Sequence, residues 1–330
     1  MKKYTFAALG ERVRYFGRLL PAQNDGMQFS FSYSGFSIRF TGEEFALFAD
    51  TYTPEMPAYF TVNIDGLTEK IAVRGEETSY IFRLKAGEHT VTVRRASAWG
   101  DSRPVTFSAV GLDDDADILE PPAEKPFKME FIGDSITCGY GILGVLGELY
   151  QSKTEDATLN YAAQVAAAFD ADARFIAYSG QGIVYNCAGE IGLPIPQLFR
   201  SAQRHTTDIP WNFDDGFVPH VVVVNAGTND EGGKTTDEQM YAGATAFLKD
   251  IRAQYPNAKI VWTYGMMNTK FVPILTKVAE DMRVTDQNVW FLPIQPVGCF
   301  AGETATQGHP AIRGHRRAAK ELIAFIKGIL

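Results

Sequence analysis

The sequence predicts two units of different class: a β-sandwich or jelly roll over residues 1–118, then an α/β unit over residues 127–330 whose parallel sheet carries helices on both faces. Three observations predict it. Apolar residues in the first part recur with the period of a strand, a proline-rich segment at 119–126 interrupts them, and beyond it short apolar runs alternate with helix-period stretches.

In the first unit Phe29, Phe31 and Tyr33 alternate with Gln28, Ser30 and Ser32, while Phe36, Ile38 and Phe40 alternate with Ser37 and Arg39. Successive side chains of a strand point to opposite faces, so each run presents one apolar and one polar face. Tyr59 to Ile64 reads as a strand ending in the turn Asp65-Gly66; Tyr80 to Leu84 and Thr90 to Val93 read as strands flanking a turn at Lys85 to Glu88. Short strands separated by turns, with no long helix between them, describe a sandwich or jelly roll. Leu119-Glu120-Pro121-Pro122-Ala123-Glu124-Lys125-Pro126 reads as the linker.

In the second unit the expected strands are Met129 to Ile132, Arg174 to Ala177, Val221 to Asn225, Lys259 to Thr263 and Val289 to Pro293. Helices are expected between them at Leu159 to Phe169, Asp237 to Gln254 and Phe271 to Met282, and at the end at Ala311 to Ile326. Such alternation builds a parallel sheet, and functional groups then gather on the loops that follow the strands.

Composition narrows the partners. Against 39 Asp and Glu there are 31 Lys and Arg, with no basic stripe, so nucleic acid is not an expected partner. No apolar run is long enough to span a membrane. The opening residues are basic, but Glu11, Arg12 and Arg14 soon interrupt the apolar stretch, so they do not read as a secretion signal. Cys138, Cys187 and Cys299 lack metal-ligand spacing and are read as three buried free thiols, which suits a reducing compartment.

Chemistry is concentrated after the strands. The first is followed by Gly133-Asp134-Ser135, the second by Ser179-Gly180-Gln181-Gly182 and the third by Gly227-Thr228-Asn229-Asp230; His309-Pro310 precedes the last helix. A serine hydroxyl is a poor nucleophile at neutral pH and needs both a base within reach and donors for the oxyanion that its attack creates. Gly133-Asp134-Ser135 and Gly227-Thr228-Asn229-Asp230 alone are ordinary turn and cap chemistry; the joint order of the four blocks on one rim of the sheet points to catalysis.

Those four blocks, in that order, resemble the SGNH hydrolases, also called GDSL-like lipases and esterases. The resemblance implies a three-layer α/β/α domain in which Ser135 is the nucleophile and His309 the general base, with an oxyanion hole formed by the Ser135 and Gly182 N–H groups and the Asn229 amide. Over nearly the whole chain, with Ser135-Ile136-Thr137-Cys138-Gly139-Tyr140-Gly141 and Trp262-Thr263-Tyr264-Gly265-Met266-Met267, it is similar to carbohydrate esterase family 2. That implies removal of acetyl groups from xylo- or manno-saccharides, without cofactor or metal. Trp99, Tyr140, Trp211, Trp262 and Tyr264 are candidate faces for sugar rings, Trp211 being the one expected to be exposed. A cytoplasmic location, with acetylated oligosaccharide as the partner, completes the expectation.

The chain departs from the wider SGNH pattern at Thr306, where an aspartate is usual. Dyads without a carboxylate occur in family 2, so the resemblance implies a Ser-His dyad with a local carbonyl behind His309. Asp134 is read as making loop hydrogen bonds, Asp230 as holding the Asn229 loop, and His315 as a polar position of the last helix. His89, His205 and His220 form no metal grouping. Gly139, Gly141 and Gly144 spell a dinucleotide-like pattern that begins too far beyond the strand, and are read as a flexible loop beside the pocket. The N-terminal unit is read as a scaffold. Two other classes are weighed: a nucleotide-dependent oxidoreductase resting on those glycines, and a carbohydrate-binding protein with an inert hydrolase site.

Overall fold

The computed structural model describes residues 1–50, 56–74, 78–98 and 104–330. Strands β1 (Lys2–Thr5), β2 (Val13–Phe16), β3 (Leu19–Pro21), β4 (Met27–Phe29), β5 (Gly35–Asp50), β6 (Ala58–Ile64), β7 (Leu67–Val73), β8 (Thr78–Arg95), β9 (Val105–Leu112) and β10 (Ile118–Leu119) form one antiparallel sheet, with helix α1 (Phe6–Leu9) beside it. The main path runs β3-β4-β9-β5-β8-β6-β7. Strands β5 and β8 pair along almost their whole length, with a bulge between Gly42 and Glu44 that Asp113 holds by accepting from the Glu43 and Glu44 N–H groups. The bulge shifts the side-chain parity: Phe36, Ile38 and Phe40 before it, and Phe45, Leu47 and Ala49 after it, all enter one core. The turn expected at Lys85 to Glu88 is therefore part of a continuous strand, because its partner strand bends with it.

A second correction concerns Phe31 and Tyr33, whose alternation with serines reads as strand. The chain leaves β4 at Phe29 and turns; Phe31 packs with Ile132 and Phe199 of the second unit, and Tyr33 stacks on Phe175 at 4.2 Å. Their apolar faces are buried against the other unit rather than within the sandwich.

The second unit has five parallel strands, β11 (Lys128–Gly133), β12 (Asp172–Ala177), β13 (Val221–Asn225), β14 (Lys259–Tyr264) and β15 (Val289–Pro293), in the order β12-β11-β13-β14-β15. Its helices are α2 (Ser135–Cys138), α3 (Tyr161–Ala168), α4 (Ile195–Phe199), α5 (Thr228–Gly232), α6 (Asp237–Gln254), α7 (Val272–Arg283) and α8 (Ile312–Ile329). Alternate β11 residues divide the core: Met129 and Phe131 pack with α3 and α8, while Ile132 packs with α4, α6 and α7. Strand order reverses between β11 and β13, and a crevice forms outside the carboxyl ends of two strands at such a point. Ser135 follows one of them and Asn229 the other.

Arg18, fully buried, donates to the Phe199 and Ser201 carbonyls at 2.6 Å each, Arg204 donates to Ser30 O at 2.9 Å, and Arg14 pairs with Asp172. Two of these arginines tie their side chains to the other unit's main-chain carbonyls, and the third forms a side-chain ion pair across the units. No helix among the described residues is long and apolar enough to cross a membrane.

Candidate active site

Ser135 opens α2 directly after β11. Asp134 caps that helix, its Oδ1 accepting from the Ile136 N–H at 3.0 Å, and Ser135 thereby occupies the first helical position, where an N–H has no intrahelical acceptor. Gly133 is required by space: a Cβ there would overlap Thr137 Oγ1 and the Asn225 carbonyl. Burial raises the Asp134 pKa to about 7, and nearby Asp230 adds to the rise.

His309 lies 174 residues on, yet its Nε2 is 2.9 Å from Ser135 Oγ. A tight turn delivers it. The His309 N–H donates to Thr306 O at 3.0 Å, the Ala305 N–H donates to His309 O at 2.7 Å, and Gln307 adopts φ +51° between them. Burial lowers the His309 pKa to about 4, while the main-chain groups of Thr306 and Gln307 act in the opposite direction. Those carbonyls are near enough to favour the imidazolium, although Nδ1 makes no hydrogen bond of ordinary geometry. Glu303, the nearest carboxylate in sequence, is turned away and paired with Arg317 at 2.8 Å. Being neutral near pH 7, His309 can accept the proton that Ser135 Oγ–H donates to Nε2.

Asn229, in α5 after β13, donates through Nδ2 to Gln181 O at 2.9 Å and lies 3.4 Å from Asp134 Oδ2. This aims the amide between the Ser135 and Gly182 loops. Asp230 holds the second of those loops as well as its own: its carboxylate accepts from the Ile183 and Val184 N–H groups at 2.8 Å each, from the Tyr185 N–H at 3.3 Å and from Thr235 Oγ1 at 3.2 Å. A Cβ on Gly182 would overlap Tyr185 O and the Asp230 carboxylate.

Thr306 is fully buried, and its side chain fills the space left by two glycines; a Cβ on Gly141 would overlap Thr306 Cβ, and one on Gly144 its Oγ1. Gly139, at φ +75°, has Asp156 O against its open side. Gly141 and Gly144 are thus packed under the His309 turn and Gly139 against Asp156, in place of the flexible loop expected from the sequence. His315 is also fully buried, where its Nδ1 accepts from the Tyr161 N–H at 3.1 Å and caps α3; burial lowers its pKa to about 3.

The aromatic candidates separate sharply. Trp262 and Tyr264 are 2% and 1% exposed, the indole N–H donating to Ala226 O at 3.1 Å and the phenol bonding Asn268, so neither offers a face to a sugar. Trp211, expected to be exposed, is half-buried, with the Arg18 and Arg174 guanidiniums 5.2 and 5.3 Å from its ring and its N–H covered. Arg174 pairs in register with Glu130, three residues before Gly133, which puts Trp211 toward the opposite end of the sheet from Ser135. Trp99 lies outside the described residues. Tyr140 alone joins the site, its ring 4.4 Å from that of His309. Leu143, Val145, Leu146 and Leu149 are exposed on the loop beyond Tyr140, and exposed Phe300 lines the same surface as Leu143. Cys138 is buried as expected, but Cys187 and Cys299 are exposed and all three are free. Among the described residues no group of three or more His, Cys, Asp or Glu could hold a metal ion.

A serine, a neutral imidazole at hydrogen-bonding distance and an aimed amide on the carboxyl rim of a parallel sheet make an arrangement of the serine-hydrolase type. The chain belongs to the GDSL-like lipase/acylhydrolase family, which residues 131–325 match; residues 15–122 match the carbohydrate esterase 2 N-terminal domain. It is 33% identical over 225 residues to the cellulase/esterase CelE of Acetivibrio thermocellus, covering 64% of this chain but only 27% of that protein. It is 23% identical to an acetylxylan esterase / glucomannan deacetylase of Cellvibrio japonicus over 99% of this chain and 91% of that one. The structure of a family two carbohydrate esterase from Clostridium thermocellum, in complex with cellohexaose, superposes with a TM-score of 0.86 at 27% identity, covering 96% of this chain and 98% of that one.

Proposed function

We propose that this chain is a serine esterase that removes O-acetyl groups from saccharides through a Ser135-His309 dyad and an acetyl-enzyme intermediate. The observation that carries the reading is the 2.9 Å contact between Ser135 Oγ and His309 Nε2, with the Asn229 amide aimed beside it. Ser135 attacks the acetyl carbonyl as His309 takes its proton; the carbonyl electrons move onto oxygen, where the Ser135 and Gly182 N–H groups and the Asn229 amide receive the charge. Collapse expels the sugar hydroxyl, which takes the proton from His309. Water, deprotonated in turn by His309, then releases acetate and restores Ser135. The Thr306 and Gln307 carbonyls, which raise the proton affinity of His309, stand in for a carboxylate. Acetylated xylo- or manno-oligosaccharides are the proposed substrates, in keeping with the name of the Cellvibrio japonicus relative. The three free cysteines favour the cytoplasm, which cell fractionation tests.

Mass spectrometry of defined acetylated oligosaccharides before and after incubation tests the activity. Loss of acetyl mass with the native chain and none with folded Ser135→Ala is expected; equal turnover by the mutant would remove Ser135 from the mechanism. Saccharide binding without acetate release would replace the reading with that of an inert carbohydrate-binding protein.

A further inference from the structure

Among the described residues His309 has no carboxylate behind it, and its Nδ1 makes no ordinary hydrogen bond. An imidazole in that position is poorly restrained about its ring torsion unless packing restrains it, since such sp3–sp2 torsions are broad. Packing is present on one face. The Tyr140 ring lies 4.4 Å from the imidazole at 34°, and the Tyr140 hydroxyl donates to Gln307 Oε1 at 2.6 Å, gripping the left-handed residue that shapes the His309 turn. The Tyr140 N–H donates to Ser135 O at 3.0 Å, so the same residue is tied to the nucleophile's main chain.

Tyr140 is itself held. Tyr150 stacks on it at 4.4 Å and 24°, and the Tyr150 hydroxyl donates to Glu155 Oε2 at 2.5 Å. Glu155 is fully buried, and its other oxygen accepts from the Ala98 N–H at 2.9 Å, just beyond β8 of the N-terminal unit. Lys70 of β7 closes the clamp: its ammonium donates to Glu155 O at 2.7 Å and Lys153 O at 3.1 Å and pairs with Asp156 at 3.0 Å. The Ala157 N–H donates to Ala96 O at 2.9 Å alongside. A buried carboxylate is costly unless its oxygens are satisfied, so the groups that donate to Glu155 specify where segment 150–157 sits.

We propose that Tyr140 and Tyr150 are positioning residues for His309, held by Glu155, and that the N-terminal unit braces the base through this relay instead of serving only as a scaffold. The inference rests on the esterase reading for its kinetic readout. Beside the Thr306 and Gln307 carbonyls, the ring is oriented by a phenol packed against it, whose own place is set by a carboxylate in contact with the other unit.

The test uses the full chain, with an aryl acetate and an acetylated xylo-oligosaccharide as substrates. Tyr150→Leu and Tyr140→Leu should lower kcat on both by roughly 10- to 100-fold with little change in KM, the scale of loss for a misplaced catalytic group. Tyr140→Phe, which keeps the ring and loses the Gln307 bond, should recover part of that kcat. Tyr150→Phe keeps the stack and severs Glu155, and serves where the leucine variants do not fold; it too should lower kcat. NMR titration of His309 gives a readout independent of turnover: its pKa should rise toward the ordinary histidine value in the leucine variants, as a ring face is uncovered. Unchanged kcat and unchanged His309 titration in folded Tyr140→Leu and Tyr150→Leu, or unchanged kcat in Tyr150→Phe where the leucine variants do not fold, would overturn the relay. A rise in KM confined to the saccharide would make Tyr140 a sugar contact and overturn it equally. Native protein inactive on every acetate would sink the esterase reading alone, and the His309 titration would still decide the bracing.

Discussion

At the scale of the residue, the Asn229 amide shows how one side chain can be reserved for a transition state. One of its contacts, to Gln181 O at 2.9 Å, is firm, while the other, to Asp134 at 3.4 Å, is long. The weakly engaged hydrogen is the one an oxyanion would strengthen. Asn229→Ala should therefore lower kcat on the order of 100- to 1000-fold with little effect on KM; steady-state kinetics with an aryl acetate checks this, and an effect confined to KM would make Asn229 a ground-state contact. The pH profile tests His309 directly. Its pKa is held down to about 4 by burial, so the base stays neutral well below the ordinary histidine range. The acid limb of kcat/KM, which reports the free enzyme, should fall near pH 4. A limb near the ordinary value of about 6.5 would mean that the imidazole is more hydrated than this packing implies.

At the scale of the element, the turn from Ala305 to His309 and the loop from Gly139 to Gly144 act as one packed piece. Thr306 is the contact between them, and its hydroxyl is buried with no hydrogen-bond partner. Removing that hydroxyl relieves an unsatisfied group, so Thr306→Ala should keep most activity although the wider family places a carboxylate at this position. Gly144→Ala should behave oppositely: the new methyl meets Thr306 Oγ1 in a filled space, costing about 1 to 3 kcal/mol and displacing the His309 turn. Chemical denaturation and kcat measured on both variants decide it. A loss in Thr306→Ala as deep as in His309→Ala would make the threonine hydroxyl an essential third member. Asp230 illustrates the same dependence among loops, since the carboxylate next to Asn229 fixes the backbone after Gly182.

At the scale of the molecule, the two units do not have separate interiors. Phe31 and Tyr33 complete the packing of the second unit, and Arg18 brings a guanidinium whose pKa is drawn down to about 10 by burial, with Glu130 opposing that fall. Loss of this group strands the Phe199 and Ser201 carbonyls and leaves Glu130 with less compensation. Arg18→Ala should cost about 3 to 5 kcal/mol, the range for breaking a buried charged network. Calorimetry should show a single transition in the native chain, moved to lower temperature in the variant. Two resolved transitions in the native chain would mean that the units unfold independently.

The sequence by itself determined the five strands and the four longer helices of the second unit to within a few residues, because buried parallel strands and amphipathic helices write their periods locally, whereas the short helices α2, α4 and α5 were not read from it. Ser135 and Asn229 could be placed on one rim because each follows an apolar strand, whereas His309 follows none directly and was picked out by the resemblance of the four blocks to the SGNH hydrolases. Local period misread Phe31 and Tyr33, which alternate like a strand but bury their rings in another unit, and Lys85 to Glu88, where a turn-like tetrad continues a strand because its partner bulges beside it. Only the tertiary structure decided which aromatics are core, since Trp211, Trp262, Tyr264 and Tyr140 have the same apolar faces and differ in what covers them. Likewise Thr306 reaches Gly144, and Glu155 reaches Ala98, across 162 and 57 intervening bonds of sequence order that carry no trace of the contact. Packing between distant segments sets burial, and burial sets both the proton affinity of His309 and the surface left for a substrate.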